Sequence, residues 1–250
     1  MKTIKHALFC ALAGASLLAA PVQASELTKS DVEQIVRDYL VKNPEILVEM
    51  SNALRAKQES QQSVNDKAMI QAHASDLYGA KDPEAGNPKG KLTVVEFFDY
   101  NCGYCKRAHP LVKQLLTEDK DIRYIYKQFP ILSPTSAYAA RAALAVQLSQ
   151  PEKYQAFHDA LYSHQGPLAS EAQVKQIAES AGVNWSKAQA KFKDASIDKT
   201  LGTNRALAEA MNISGTPGFI IGDQILRGAP RDMASLQDVI KDARAGKAIQ

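Results

Sequence analysis

Between Val32 and Leu54 the apolar residues recur every three or four positions: Val32, Ile35, Val36, Tyr39, Leu40, then Ile46, Leu47, Met50, Ala53 and Leu54. That spacing draws an apolar stripe along a helix. Thr28, Ser30 and Asp31 supply capping groups at its start. Asn43-Pro44 interrupts it, Asn as a cap and Pro as the first residue of a second helix. From Arg55 to Asp76 the apolar positions thin out and Gln, Lys and Ser dominate, which predicts a poorly buried helix. A Pro/Gly-rich break then runs from Lys81 to Gly90.

Beyond the break the period changes. Leu92 to Phe98 is an apolar, β-branched run interrupted only by Glu96, the pattern of a strand buried on both faces. Cys102-Gly103-Tyr104-Cys105 follows at once. Ala108, Leu111, Val112, Leu115 and Leu116 then keep helical spacing to about Glu118, and Ile122 to Phe129 reads as a second strand. This is β-α-β with the dithiol at the strand-to-helix junction. Thr135 to about Met211 is helical, including Tyr154 to Tyr162 and Glu171 to Ala181. Phe219 to Ile221, the turn Gly222-Asp223-Gln224 and Ile225-Leu226 outline a hairpin, and a last helix runs from about Met233 to Ala245. The chain therefore reads as α/β with a helical stretch at about 135–211, preceded by an α-helical segment. The predicted division is an N-terminal arm at 25–78 and a catalytic domain at 79–250. The stripe of the arm lacks a partner within its own short unit. It predicts burial against copies of itself, the alternative being a helix pair folded onto the main domain.

The N-terminus carries a different pattern. Lys2 and Lys5 precede the apolar run Ala7 to Ala20, and Val22-Gln23-Ala24 offers a cleavage site after Ala24. Residues 1–24 are predicted to be a cleaved export signal rather than an anchor. The formal charge of the 250-residue chain is +3, and loss of Lys2 and Lys5 brings it to +1. A near-neutral chain gives no electrostatic case for nucleic acid. Cys10 leaves with the signal, so the mature chain keeps two cysteines, both in one C-x-x-C. A disulfide-stapled scaffold is thereby excluded. A zinc ribbon needs a second cysteine pair, and His109 alone does not complete a ligand set. No metal or other cofactor is implied.

A C-x-x-C at a helix start brings two sulfurs within bonding reach. The first sits where free backbone N–H groups and the positive end of the helix dipole stabilise a thiolate. The second lies one turn in and is better buried. Cys102 is therefore the expected nucleophile and Cys105 the resolving thiol.

The run from Phe97 to Lys106, with Thr216-Pro217-Gly218-Phe219 downstream, resembles the DsbA family of the bacterial periplasm over about residues 90–248. The resemblance implies a thioredoxin-like fold split by the helical insertion. It implies that Pro217 is a cis-proline facing the dithiol, that Thr216 shapes the substrate contact, and that Gly103 and Tyr104 border the bound substrate. Glu96 matches a buried acid that moves a proton to or from Cys105. Lys127, in the neighbouring strand, is either its partner or a solvated strand-end charge. The Gly-Tyr dipeptide and the Thr before the proline are shared with the dimeric DsbC-type isomerases. Tyr39 to Glu45 resembles the arms of oligomeric DsbA-like proteins of the ScsC group. The implied function is thiol–disulfide exchange on unfolded or misoxidised exported proteins in the periplasm, with isomerase or reductase activity preferred over oxidase. The implied partners are a second or third copy of the chain and a membrane redox protein that resets the dithiol. A holdase or a Cu(I)-binding dithiol is the alternative of another class, although no Met- or His-rich tract supports a dedicated metal site. His158 and His164 read as helix-surface residues without a role.

Replacing Cys102 with Ser is expected to abolish exchange with model disulfides. Replacing Cys105 with Ser is expected instead to accumulate mixed disulfides, seen as shifted bands on non-reducing gels. Substantial activity in Cys102→Ser would reassign the nucleophile.

Overall fold

The computed structural model describes residues 27–79 and 82–246. The predicted export signal, with Cys10, lies outside the described residues. None of the described helices is long and apolar enough to cross a membrane. The chain divides into two compact units, one ending at Leu54 and the other beginning at Arg55.

In the first unit, α1 (Lys29–Lys42) opens on a capping box. The Thr28 hydroxyl accepts the Asp31 N–H at 3.3 Å, and the Asp31 carboxylate accepts the Thr28 N–H at 3.0 Å. Asn43 acts at the other end of this helix, its side chain donating to the Tyr39 carbonyl at 2.7 Å. The next helix, α2 (Glu45–Ala72), starts just after Pro44. No residue of α1 is buried, and Ile35, Tyr39, Leu47 and Met50 are each more than half exposed. In a single chain, then, the predicted stripe faces solvent.

The second unit takes in more of the N-terminal segment than the sequence pattern suggests. The pattern predicts a poorly buried helix as far as Asp76 and a boundary after residue 78. In the structure Asp66 and Ile70 on α2, and Leu77 on α3 (Ala74–Leu77), are buried. Ile70 and Leu77 join Val95, Phe97, Ile125 and Ile220 in one core cluster. Asp66 accepts two bonds from the Arg227 guanidinium, at 2.9 and 2.8 Å. Two buried apolar residues and two ion pairs, Asp66 with Arg227 and Lys67 with Asp223, dock this stretch, too few to raise a periodic signal in a polar helix.

A five-stranded sheet organises the rest, in the order β1-β3-β2-β4-β5: β1 (Glu84–Gly86), β2 (Leu92–Phe98), β3 (Ile122–Gln128), β4 (Gly218–Ile221) and β5 (Gln224–Arg227). Only β2 and β3 are parallel; β1, β4 and β5 pair antiparallel with their neighbours. The predicted break hides β1, whose Glu84 pairs with Arg123 of β3. Helix α4 (Gly103–Glu118) follows β2. The insertion between β3 and β4 holds α5 (Pro134–Ser149), α6 (Pro151–Ser163), α7 (Glu171–Ser180), α8 (Trp185–Gln189) and α9 (Ala195–Ala210), and α10 (Met233–Arg244) closes the fold. Strand alternation sends Val94, Phe98, Tyr124 and Tyr126 into one core, with α4, α6 and α10, and Val95, Phe97 and Ile125 into the other.

The same alternation corrects the expectation for Lys127. Lys127 is paired in register with Phe97, while Glu96 is opposite Tyr126. Glu96 and Lys127 therefore point to opposite faces and cannot meet. Nor is Lys127 solvated: it is fully buried, with Nζ 2.5 Å from Asp82 Oδ2 and 2.7 Å from the Asp76 carbonyl. Asn204 donates to the other Asp82 oxygen at 3.3 Å. Removing one partner of such a pair strands the other charge. Lys127→Met is expected to cost about 3–5 kcal/mol in urea unfolding, and adding Asp82→Leu to recover much of it. A single variant with near-native stability would show that the pair is not a closed, buried ion pair.

Candidate active site

Strand β2 ends at Phe98, and four residues, Asp99 to Cys102, turn the chain onto α4. Asp99, 1% exposed, fixes that turn. Its carboxylate accepts the N–H groups of Asn101, Ile131 and Leu132 at 2.8, 2.9 and 3.0 Å, and its carbonyl accepts the Cys102 N–H at 3.0 Å. The Asn101 side chain donates to Ser133 at 2.7 Å and accepts the Leu168 N–H at 2.7 Å. The Lys106 ammonium spans the carbonyls of His164 and Gly166, at 2.7 and 2.6 Å. These three residues tie the start of α4 to the insertion. Nothing in the sequence singled them out beyond a short polar run around the C-x-x-C, because residue type alone does not reveal the partner.

Cys102 occupies the N-cap of α4, and its sulfur accepts the Cys105 N–H at 3.4 Å. As a thiol it also reaches the Thr216 carbonyl, at 3.1 Å. That contact is lost on ionisation, but the surroundings favour the thiolate. The hydrogen bond from the Cys105 thiol, helped by the Thr216 side chain and the amides of Cys105 and Tyr104, outweighs burial and brings Cys102 down to about 6. Cys105 is fully buried. Burial, its bond to the Cys102 sulfur and the charge of Glu96 all push its thiol far up. At neutral pH the pair is thus split into one thiolate and one thiol.

Glu96 lies under this pair on β2. Burial raises its carboxyl to about 7, against the hydrogen bond that the Tyr124 hydroxyl donates at 2.7 Å, and the Cys102 charge raises it further. A carboxyl with that value can give or take a proton at physiological pH. Thr216 and Pro217 arrive from the other side, joined by a cis peptide bond just before β4. Gly218, the first residue of β4, is opposite Phe97. A Cβ there would come within 2.6 Å of the Ile213 side chain, so the close approach of this loop requires glycine. Gly103 and Tyr104 lie at the surface, with the Arg107 guanidinium 4.3 Å above the Tyr104 ring.

The histidines of the insertion differ from expectation. His158 is fully buried; its Nδ1 is 3.0 Å from the Tyr100 hydroxyl, and burial holds it well below the usual imidazole range. It packs among Phe98, Tyr126, Tyr154 and Tyr162 as part of the core. His164 is half-buried, its Nε2 3.1 Å from the Gln173 amide nitrogen. His109 joins α4 to α6 through Asp159, at 3.1 Å, with Lys113 on the other oxygen at 2.6 Å. Burial opposes ionisation of Asp159, but hydrogen bonds from His109, Lys113 and Gln155 outweigh it and hold the carboxyl well below its ordinary range.

A dithiol divided between thiolate and thiol, seated where a central strand hands over to a helix, has the chemistry that thiol–disulfide exchange requires. The chain belongs to the thioredoxin family: the model described as thioredoxin matches residues 80–242, and one described as the copper resistance protein ScsC N-terminal domain matches residues 29–61. A linker-deleted variant of Proteus mirabilis ScsC is 32% identical, with a TM-score of 0.68, covering 91% of this chain and 99% of that one. A thioredoxin-like oxidoreductase from Silicibacter pomeroyi is 38% identical, with a TM-score of 0.64 over 68% of this chain and 97% of its own. Thiol:disulfide interchange protein DsbA of Bordetella parapertussis is 28% identical over 58% of this chain and 69% of that protein. The Na(+)/H(+) antiporter NhaA 1 of Salinispora arenicola is 29% identical over 68% of this chain, which spans only 26% of the antiporter's length. The chain is thus a member of the thiol–disulfide oxidoreductases of the ScsC and DsbA-like type.

The raised value of Glu96 fixes a pH signature. An acid that holds its proton more tightly when folded destabilises the fold as pH rises from its unfolded value, near 4.5, to its folded value, about 7. Glu96→Gln keeps an acceptor for Tyr124 and removes the charge. It is expected to stabilise the reduced protein by up to about 3 kcal/mol at pH 8 and to have little effect at pH 4. Denaturant melts at the two pH values check this. An equal effect at both would show that Glu96 is not held protonated by its site.

Proposed function

We propose that the protein is a periplasmic enzyme that rearranges or reduces wrongly paired disulfides in exported proteins, working as an oligomer joined through its N-terminal helices. The observation that carries this reading is the apolar stripe of α1 and the start of α2, which is uncovered in one chain. An apolar stripe of this extent is buried in a working protein, and the match to the ScsC N-terminal domain covers the same residues. Several dithiols held in one assembly raise the effective concentration at a bound, misfolded substrate.

In the proposed cycle the Cys102 thiolate attacks one sulfur of a substrate disulfide. The S–S bond breaks, a mixed disulfide forms and the second substrate sulfur leaves as thiolate. In isomerisation that thiolate attacks elsewhere in the substrate, and a substrate thiolate finally displaces Cys102 with no net redox change. In reduction Cys105 gives its proton to the Glu96 carboxylate and attacks the Cys102 sulfur. The substrate thiolate is released, and the enzyme is left as a Cys102–Cys105 disulfide that a dithiol donor at the membrane must reduce. Thr216, Pro217, Gly103 and Tyr104 border the path of the substrate in this scheme.

Light scattering and a scrambled-substrate assay on the chain with and without residues 25–54 test the reading. The full chain is expected to be a dimer or trimer with isomerase activity. The truncated chain, which keeps the docked turns of α2, is expected to be a monomer that loses it and gains oxidase activity. A full-length monomer at micromolar concentration would transfer the reading to a DsbA-like oxidase.

A further inference from the structure

Beside the dithiol runs an open cleft of about 620 Å³, lined by Tyr104, Arg107, Thr216, Ala229, Pro230 and Arg231. Thr216 is also the residue whose carbonyl meets the Cys102 sulfur, so it joins the cleft to the dithiol. Its floor is uncharged, and its two charges are both arginines. Among the described residues neither arginine has a carboxylate within ion-pair distance. Arg107 is held in place, its guanidinium 4.3 Å above the exposed Tyr104 ring. The neighbouring acid, Asp232, feels the charge of Arg231, but its carboxylate is turned to the N-cap of α10, where it accepts the Ser235 N–H at 2.8 Å. Lys106 is engaged on carbonyls of the insertion. The first turn of the 16-residue helix α4 contains no acid, so its positive end adds to the field at the same place.

We propose that this cleft selects substrate segments with acidic residues flanking the cysteine, Arg107 and Arg231 receiving the carboxylates. The inference rests on the oxidoreductase reading and adds the substrate class to it. An extended segment advances about 3.3 Å per residue, so a carboxylate one to three positions from a cysteine bonded to Cys102 lies within the span of the cleft. Guanidinium groups donate paired hydrogen bonds to carboxylates, and one stacked on an aromatic ring loses less freedom in doing so. A lysine-flanked segment would meet two like charges. Electrostatic complementarity of this kind acts chiefly on encounter and register, and is screened by salt.

The experiment uses the reduced full chain and short, end-blocked peptide disulfides whose cysteine is flanked by Asp, Asn or Lys. Exchange with the Asp peptide is expected to be roughly three- to tenfold faster than with the Asn peptide at low ionic strength, and the Lys peptide slower than both. High salt is expected to compress the series. Arg107→Glu with Arg231→Glu is expected to reverse its order. Should that variant not fold, Arg107→Gln with Arg231→Gln is expected to bring the Asp-to-Asn ratio close to one. The readout is the ratio between peptides, which a general change in Cys102 reactivity leaves alone. Equal rates on the Asp and Asn peptides, or an acidic preference that survives either double substitution, overturns the proposal. Failure of the parent protein to exchange with any peptide overturns the oxidoreductase reading instead.

Discussion

The carboxylate of Asp99 is buried with no cationic side chain at ion-pair distance among the described residues, and three backbone amides carry its charge. Hydrogen bonds to a charged group contribute roughly 1.5–3 kcal/mol each, so breaking any one of them strands a costly acceptor. Those amides belong to two separate segments, the turn before the dithiol and the link between β3 and α5. Asp99 thereby fixes where α4 begins relative to the insertion. The Cys102 N–H is tied to the same residue's carbonyl. The electrostatics at the sulfur depend on this seat, since a helix terminus acts on a charge only within about its first turn.

Two cysteines of one type, three positions apart, come to differ by burial and by what each faces. Cys102 is capped by amides and a thiol donor, whereas Cys105 looks inward at Glu96. The carboxyl is there because β2 is buried on both faces and residue 96 falls on the dithiol side. Tyr124, next along that face on β3, supplies its hydrogen bond. The parity of one strand thus decides that the buried thiol faces an acid, which adds to what burial does to Cys105. A shift of one residue in the β2–β3 register would exchange Glu96 for an apolar neighbour.

The elements that are long and periodic were legible in the sequence: the capped α1, the two central strands, the dithiol at the head of α4, and the helices between β3 and β4. What escaped were features decided by partners distant in the chain. Lys127 could not be assigned without the register, because the choice between Glu96 and Asp82 is a choice of sheet face. Strand β1 is three residues long and sits among prolines and glycines, where local signals favour a turn. His158 lies on a helix whose neighbours are Asp, Phe and Ala, and only the ring of aromatics from β2, β3 and α6 reveals it as buried. Asp66 reads as one more polar residue on a polar helix until Arg227 is beside it.

That last contact ties together parts that look unrelated. Arg227 grips Asp66 with both terminal nitrogens and also donates to the carbonyls of Met211 and Asn212. Those carbonyls open the segment that leads to Thr216, and the next residue, Gly228, donates its N–H to the Pro217 carbonyl. The Arg227 side chain therefore ties the end of a long helix to the start of the loop that faces the reactive sulfur, and the backbone of the next residue holds the loop's other end. The helix carrying the cysteines is anchored differently, through Asp99 and Lys106. The two supports meet where Thr216 touches the Cys102 sulfur, so the thiol's surroundings are assembled from one segment held by Arg227 and another held by Asp99.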